Sequence, residues 1–507
     1  MKSGEPHIAM RCMALIPLLA LTLLGASGAP APAAPRSAPQ LAATPPMGWN
    51  SWDSYGTSIR EAQVRATALF MARRLKRYGW RYVVIDEGWY EAAPAPGART
   101  PRVFMDAFGR YVPNPGRYPS AAGGVGMKAL ADYIHSLGLQ FGIHILRGIP
   151  RQAVTEDLPI QGSSFHAADA ADTTSPCPWN GLNYGVKPGS AAGQAYYDSI
   201  ARLYASWGVD FVKADCISSH PYRGGEIRML DAALRASGRP MVLSLSPGPA
   251  PLADAAELEA NSQMWRIADD LWDMWEGRGD AYPQGVENQF ARAAAWEPYA
   301  GPGHWPDADM MPLGEIGPHP GMGPPRASRL TPAEQQTLVT AWCVFRSPLI
   351  MGGNLLLSGP QTMALLTNPE VLAVDQHSTG NHLEAAGERH DQSGRTLPPV
   401  EARPQATVGS DPTKSGEPPV RLDDPDIVVW VAQAATPKLV GDTYVAVFNL
   451  GDQTRRIHDS WATLGLPARA YRARDLWQRK NLGQQNEVDV TLAPHAAALL
   501  RLDPVRR

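Results

Sequence analysis

At 507 residues the chain is long enough for one large domain and a smaller one. Its formal net charge of −3, with Arg and Lys scattered, gives no electrostatic case for nucleic acid or an anionic membrane as partner. Fifteen Trp and 48 Pro suit an aromatic-lined enzyme with long loops better than a helical bundle.

Lys2 and Arg11 precede an apolar run over 13–24, followed by small residues and Pro through Pro35. The run is too short to span a bilayer and reads as a secretory signal peptide over 1–33, with Ala31-Pro32-Ala33 as the cleavage site. A secreted or periplasmic protein is expected, with no membrane attachment after cleavage. Outside the leader, Cys343 sits in a helical pattern and reads as a buried free thiol. Cys177 and Cys216 are left open at this point, as a disulfide or as two thiols, because geometry decides it.

From residue 45 to about 355, short β-like runs alternate with amphipathic helical stretches. Strands are expected at 47–52, 82–88, 141–146, 211–216, 242–246, 264–270, 303–310 and 348–353. Helices are expected between them, among others at 59–78, 127–137, 193–207 and 332–344. Eight strands alternating with helices predict a (β/α)8 barrel, placed at 34–378. An open doubly wound sheet is the alternative, and the lack of a Gly-rich phosphate loop after the first strand counts against it. Residues 386–425 are rich in Pro, Gly, Ser and charge and read as a long surface loop or a flexible, poorly ordered insertion. Around it, 426–432, 443–450 and 488–502 alternate like strands, so 379–507 is expected to be an antiparallel β domain.

In such a barrel the active site lies at the C-terminal strand ends. There the chain places Trp49, Asn50, Trp52 and Asp53; Asp86, Glu87 and Trp89; His144 and Arg147; Lys213 and Asp215; Ser244 and Ser246; Arg266, Asp269 and Asp270; and His304, Trp305, Asp307 and Asp309. Two segments stand out: V-K-A-D-C at 212–216 and W-R-I-A-D-D at 265–270 each read as a β-run that stops at a carboxylate. Period-two alternation puts Lys213 with Asp215 on one face, and Arg266 with Asp270, while Asp269 faces away. Structural ion pairs bracing the rim would explain any one pair. A whole ring of buried charge is a poor trade against apolar packing unless it works. Two carboxylates on neighbouring strands are the minimal equipment for cutting a glycosidic bond. No ligand-like His spacing accompanies the acidic residues, so no metal and no cofactor is expected, and His144 and His304 read as hydrogen-bonding or packing residues.

T-P-P-M-G-W-N-S-W at 44–52, I-D-E-G-W at 85–89, G-V-D-F-V-K-A-D-C at 208–216, M-W-R-I-A-D-D at 264–270 and G-P-G-H-W-P-D-A-D-M at 301–310 resemble glycoside hydrolase family 27. That is the clan D family of α-galactosidases and α-N-acetylgalactosaminidases, and the resemblance runs from Thr44 to the C-terminus. It implies a barrel followed by a β-sandwich and a retaining mechanism. Asp215 is then the nucleophile, and Asp270 the acid that protonates the leaving oxygen and later the base that activates water. Lys213 is expected to hold Asp215 ionised, and Asp270 to carry its proton. Trp52 packs near the sugar C6. Asp86 and Glu87 bind the 4- and 6-hydroxyls, and Lys213, Arg266 and Asp309 complete the ring. Cys177 and Cys216 match the family's disulfide beside the nucleophile.

The chain departs from the family in three places. Asp86-Glu87 replaces the usual Asp-Asp, and the longer Glu reaches toward the hydroxymethyl arm of galactose. Gly142-Ile143-His144 replaces a Tyr and an Asp, so His144 is expected to line the substrate. Ser244-Leu245-Ser246-Pro247-Gly248 lacks the family's Cys with Glu or Trp, and Ser246 and Ser262 stand where a second disulfide would be. The leading expectation is a secreted retaining exo-α-galactosidase acting on carbohydrate. A β-L-arabinopyranosidase, whose sugar lacks the C6 arm, is the alternative. A non-catalytic carbohydrate-binding protein is the reading outside enzymology, and it has no need for both carboxylates.

Overall fold

A computed structural model describes residues 40–92, 101–278, 282–317, 323–386, 389–390, 396–397, 426–436, 439 and 441–505. The expected signal peptide lies outside the described residues. So does most of the expected insertion at 386–425, of which Arg389–His390 pairs antiparallel with Thr396–Leu397.

Eight parallel strands form one sheet: β1 (Met47–Asn50), β2 (Tyr82–Ile85), β3 (Gln140–Leu146), β4 (Phe211–Asp215), β5 (Val242–Leu245), β6 (Met264–Arg266), β7 (Trp305–Asp307) and β8 (Leu349–Met351). They pair in chain order from β1 to β7, and β8 pairs back onto β1. Met311, just past β7, donates its N–H to the Ile350 carbonyl at 2.8 Å and accepts from Gly352 at 3.0 Å, which closes the barrel. The strands are shorter than their apolar runs suggest. β6 stops at Arg266, because Ile267 makes the last bond to Asp307 and the chain then turns out of the ladder.

The helices follow the sequence signals closely. α1 (Glu61–Arg74), α2 (Lys128–Ser136), α3 (Ala191–Trp207), α4 (Gly224–Ala236), α5 (Ala255–Asn261), α6 (Asn288–Trp296) and α7 (Pro332–Phe345) lie between the strands. Ser190 caps α3 by accepting from Gly193 at 3.0 Å, and Gly208, at φ 83°, ends it. Thr331 and Glu334 form a reciprocal capping box at α7, with Pro332 at the first helical position.

Beyond α7, Ser378–Ala386 (β9) begins a six-stranded antiparallel sheet with Ile427–Ala434 (β10), Thr443–Asn449 (β11), Tyr471–Asp475 (β13), Lys480–Gln485 (β14) and Ala497–Pro504 (β16). Arg455–Ser460 (β12) and Glu487–Leu492 (β15) pair as a second layer. The run 488–502, expected as one strand, is two strands in different sheets, and Pro494 in the turn between them has no N–H for a ladder. Alternation along β10 and β11 feeds two cores. Val429, Val431, Val445 and Val447 pack between the layers with Ile457 and Val488. Trp430 and Phe448 face the barrel, 4.8 Å from the Phe345 ring and 4.9 Å from the Phe290 ring. Among the described residues, no helix is long and apolar enough to cross a membrane.

Candidate active site

The C-terminal ends of the barrel strands open onto a cavity of about 740 Å³. Trp52, Asp86, Glu87, His144, Lys213, Asp215, Ser246 and Asp270 line it together. Arg266 and Asp309 do not. They lie beneath the lining, each 2% exposed in its side chain, with Arg266 Nη1 2.8 Å from Asp309 Oδ1 and 3.2 Å from Asp270 Oδ1. Asp309 also accepts from the Leu271 N–H at 2.8 Å, so this pair fixes the loop that carries Asp270. His304 and Trp305 are not at the C-terminal rim. His304 directly precedes β7 and Trp305 starts it; the His304 ring contacts the Tyr299 carbonyl and lies 3.5 Å from Glu259, at the opposite end of the strand from the site.

The expected parity of Asp269 and Asp270 fails. Both line the cavity, because β6 ends before either and a loop has no period-two alternation. The Asp269 carboxylate accepts from the Asp270 N–H at 2.8 Å and lies 3.7 Å from His220.

Lys213 does not pair with Asp215. Its ammonium reaches across to the end of β2 and donates to Asp86 Oδ2 at 2.8 Å. Residues two apart on a strand share a face but stand roughly 6.6 Å apart along it, so a long side chain can find a partner on another strand end instead. Asp86 also accepts from the Asn50 amide at 2.7 Å and donates its N–H to Ser51 Oγ at 2.9 Å. Burial would raise the Asp86 carboxyl, but the Lys213 ammonium and then His144 hold it well below the usual carboxylate range. Burial lowers Lys213, and Asp86 and Asp309 more than reverse this, so the ammonium keeps its proton.

The basic group nearest Asp215 is His144, with Nε2 3.7 Å from Asp215 Oδ2. In the sheet register His144 sits beside Lys213, and Leu146 beside Asp215. Burial pushes the imidazole down, and Asp86 and Asp215 push it further up, above its ordinary value. Burial likewise raises Asp215, and His144 followed by Lys213 brings it below its ordinary value. A carboxyl whose ionised form is favoured by its neighbours is equipped to act as a nucleophile.

Glu87 lies between these groups. Burial pushes its carboxyl up to about 7, His144 opposes this, and the Asp215 charge adds to it. The Asn180 side-chain amide donates to Glu87 Oε1, while Asn180 Oδ1 accepts from the Leu182 N–H at 2.9 Å, which fixes the amide's orientation. Asn180 belongs to the loop of Cys177, whose disulfide to Cys216 spans a Cα–Cα distance of 6.0 Å. Cys216 directly follows Asp215 and has φ 62°; Asp309 has φ 87°. Left-handed backbone at non-glycine residues stores strain of about 1–3 kcal/mol and clusters at functional sites.

A buried ion pair braces that loop from behind. Arg147 Nη1 lies 2.7 Å from Glu226 Oε1, and Nη2 donates to the Ser175 carbonyl at 3.0 Å; Tyr197 donates to Glu226 Oε2 at 2.7 Å. Gly148, at φ 84°, allows the strand Asn183–Val186 to approach, since a Cβ there would stand 1.9 Å from the Tyr184 carbonyl oxygen. Arg147 thus supports the site without lining it. Asn180, Pro178, Trp179, His220 and Tyr282 are lining or positioning residues that the sequence reading missed, while Pro247 lines the cavity from the loop already singled out at 244–248. The Cys177–Cys216 match already tied 178–180 to the nucleophile and could have revealed the first three. Tyr282 carries no local signal. Cys343 is buried and free, as expected.

This ring of carboxylates around the buried Lys213 and Arg266 fits what comparison with known proteins finds. A model described as alpha galactosidase A matches residues 183–377, and one described as the alpha galactosidase C-terminal beta sandwich domain matches 424–502. The alpha-galactosidase A of Cellvibrio japonicus (strain Ueda107) is 30% identical over 378 residues, covering 72% of this chain and 75% of that one. The chain belongs to glycoside hydrolase family 27. An alpha-galactosidase of Oryza sativa subsp. japonica is 27% identical over 92% of this chain and 86% of its own. Among solved structures, a family 27 β-L-arabinopyranosidase from Geobacillus stearothermophilus is 42% identical, with a TM-score of 0.79, covering 92% of this chain and 97% of its own. As a family 27 member, the protein is a glycoside hydrolase whose substrate is a carbohydrate.

Proposed function

We propose that this family 27 enzyme is a retaining exo-glycosidase whose preferred sugar is β-L-arabinopyranose. One observation carries the reading. Glu87 projects a carboxyl one methylene longer than the family's Asp into the cavity, and Asn180 holds it there. On this reading that carboxyl takes the space a galactosyl hydroxymethyl group would need, and β-L-arabinopyranose is the same ring without that group. The similarity to the Geobacillus stearothermophilus arabinopyranosidase supports the same ordering.

Asp215 attacks the anomeric carbon while Asp270 protonates the leaving oxygen, giving a covalent glycosyl-enzyme. Asp270 then takes a proton from water, which displaces Asp215 with net retention. Lys213 and Asp86 act as one neutralised pair beside the sugar, Trp52 packs against it, and Arg266 with Asp309 holds the loop of Asp270. The disulfide suits an oxidising compartment, so export is part of this reading.

The second reading, α-galactosidase, is favoured by the names of the relatives in Cellvibrio japonicus and Oryza sativa. The two separate in one assay: p-nitrophenyl β-L-arabinopyranoside beside the α-D-galactopyranoside, for wild type and Glu87→Asp. The arabinoside is expected to lead by about tenfold or more in the wild type, with the preference shrinking or reversing in Glu87→Asp. A wild type that prefers the galactoside restores the second reading. Asp215→Ala is expected to lose about 10⁴-fold in kcat, and full turnover by that variant would remove the mechanism.

A further inference from the structure

Among the described residues, two aromatic side chains are exposed, Trp179 at 48% and Tyr282 at 42%, and both line the catalytic cavity. Single exposed apolar residues are ordinary, whereas these two line one site, and the Tyr282 hydroxyl is hydrogen-bonded to Trp272, which fixes its ring there. Each is held by the backbone of a different catalytic loop. Trp179 lies two residues from Cys177, which is bonded to the residue after Asp215. Tyr282 lies two residues from Gln284, whose N–H donates to the Asp270 carbonyl at 2.8 Å. Both aromatics therefore line the cavity from its exposed side, one on a loop tied to each catalytic carboxylate. His220 on the same rim has a half-exposed side chain.

We infer that Trp179 and Tyr282 form a subsite for the leaving group, selecting a pyranose-ring aglycone that packs its C–H face on them. The natural substrate is then a disaccharide or oligosaccharide terminus rather than a glycoside of a small alcohol. Aromatic faces suit this because a pyranose presents an apolar patch of C–H groups with hydroxyls at its edge, and the rings lose little conformational freedom on contact. The inference rests on Asp270 as the acid on the leaving-group side.

The test compares kcat/KM for a disaccharide with a glucose aglycone, the methyl glycoside and the glycosyl fluoride. It is run in both the arabinopyranosyl and galactosyl series, so the result does not depend on which sugar is preferred. The fluoride has no ring to stack and needs no proton from Asp270. Trp179→Ala and Tyr282→Ala are each expected to lower the disaccharide-to-fluoride ratio about tenfold, with Trp179→Phe restoring most of it and the methyl-to-fluoride ratio moving far less. A disaccharide-to-fluoride ratio that stays at the wild-type value in both Ala variants overturns the subsite. Loss of Asp270 is read separately: Asp270→Ala should cut the disaccharide far more than the fluoride, and an equal loss would instead overturn the acid role on which the inference stands.

Discussion

The top of the barrel and the C-terminal sandwich use charge in opposite ways. At the barrel top, Lys213 and Asp86 meet at 2.8 Å with side chains 13% and 3% exposed. In the sandwich, Arg456 and Asp489 meet at 2.9 Å with side chains 55% and 41% exposed, and the interior is a layer of Val, Ile and Leu. The contact distances are nearly the same, but the surroundings differ. Burying a charge pair costs several kcal/mol of hydration per ion that an exposed pair keeps. A fold under pressure for stability alone fills its interior as the sandwich does. The barrel top retains its ions because sugar chemistry needs fixed charges in a dry site.

The contrast can be broken most sharply at Lys213. Lys213→Met leaves Asp86 buried without its cation and is expected to cost about 3–5 kcal/mol of stability, with severe loss of kcat/KM, read by denaturant unfolding and initial rates. A variant as stable as wild type would mean the buried pair resembles the sandwich pairs after all.

Next in size is the disulfide. Replacing Cys177 and Cys216 together by Ser is expected to cost about 2–4 kcal/mol and to weaken the arabinoside preference, because the loop holding Asn180 against Glu87 is untied. Unchanged selectivity would show that Arg147 and Glu226 suffice to place the loop.

A third test sharpens the comparison by pH. Glu87 titrates near 7 in the fold against an ordinary 4.5. Between those values the folded chain keeps a proton that the unfolded chain has lost, so stability falls as pH rises through the window, by about 3 kcal/mol at most. Glu87→Gln removes that dependence. Its melting temperature should therefore gain on wild type from about pH 5 to about pH 8, and parallel curves would count against a buried neutral Glu87. The smallest effect is expected in the sandwich: Arg456→Ala should leave the melting temperature within error, and a clear drop would blur the distinction between the regions.

Much of the barrel was legible because amphipathic helices and β-runs obey their own periods. The end of α3 at Trp207 and both ends of α7 lie within one residue of the expected 193–207 and 332–344. The wrong inferences share one cause. Parity placed Asp269 outside and paired Lys213 with Asp215, but parity holds only while the chain stays in the ladder, and it says nothing about which side chain a long lysine reaches. The same limit hid the split of 488–502 and the true start of β7 at Trp305.

By itself the sequence determined the alternation of strands and helices, the residues at the strand ends and, through the family motifs, the two carboxylates at 215 and 270. Those are properties of local order, set by side-chain period and turn chemistry. Only the tertiary structure decided that Lys213 serves Asp86, that His144 is the basic group beside Asp215, and that Asn180 holds Glu87. These are contacts between residues up to 127 positions apart, fixed by which strand ends the closed barrel brings together.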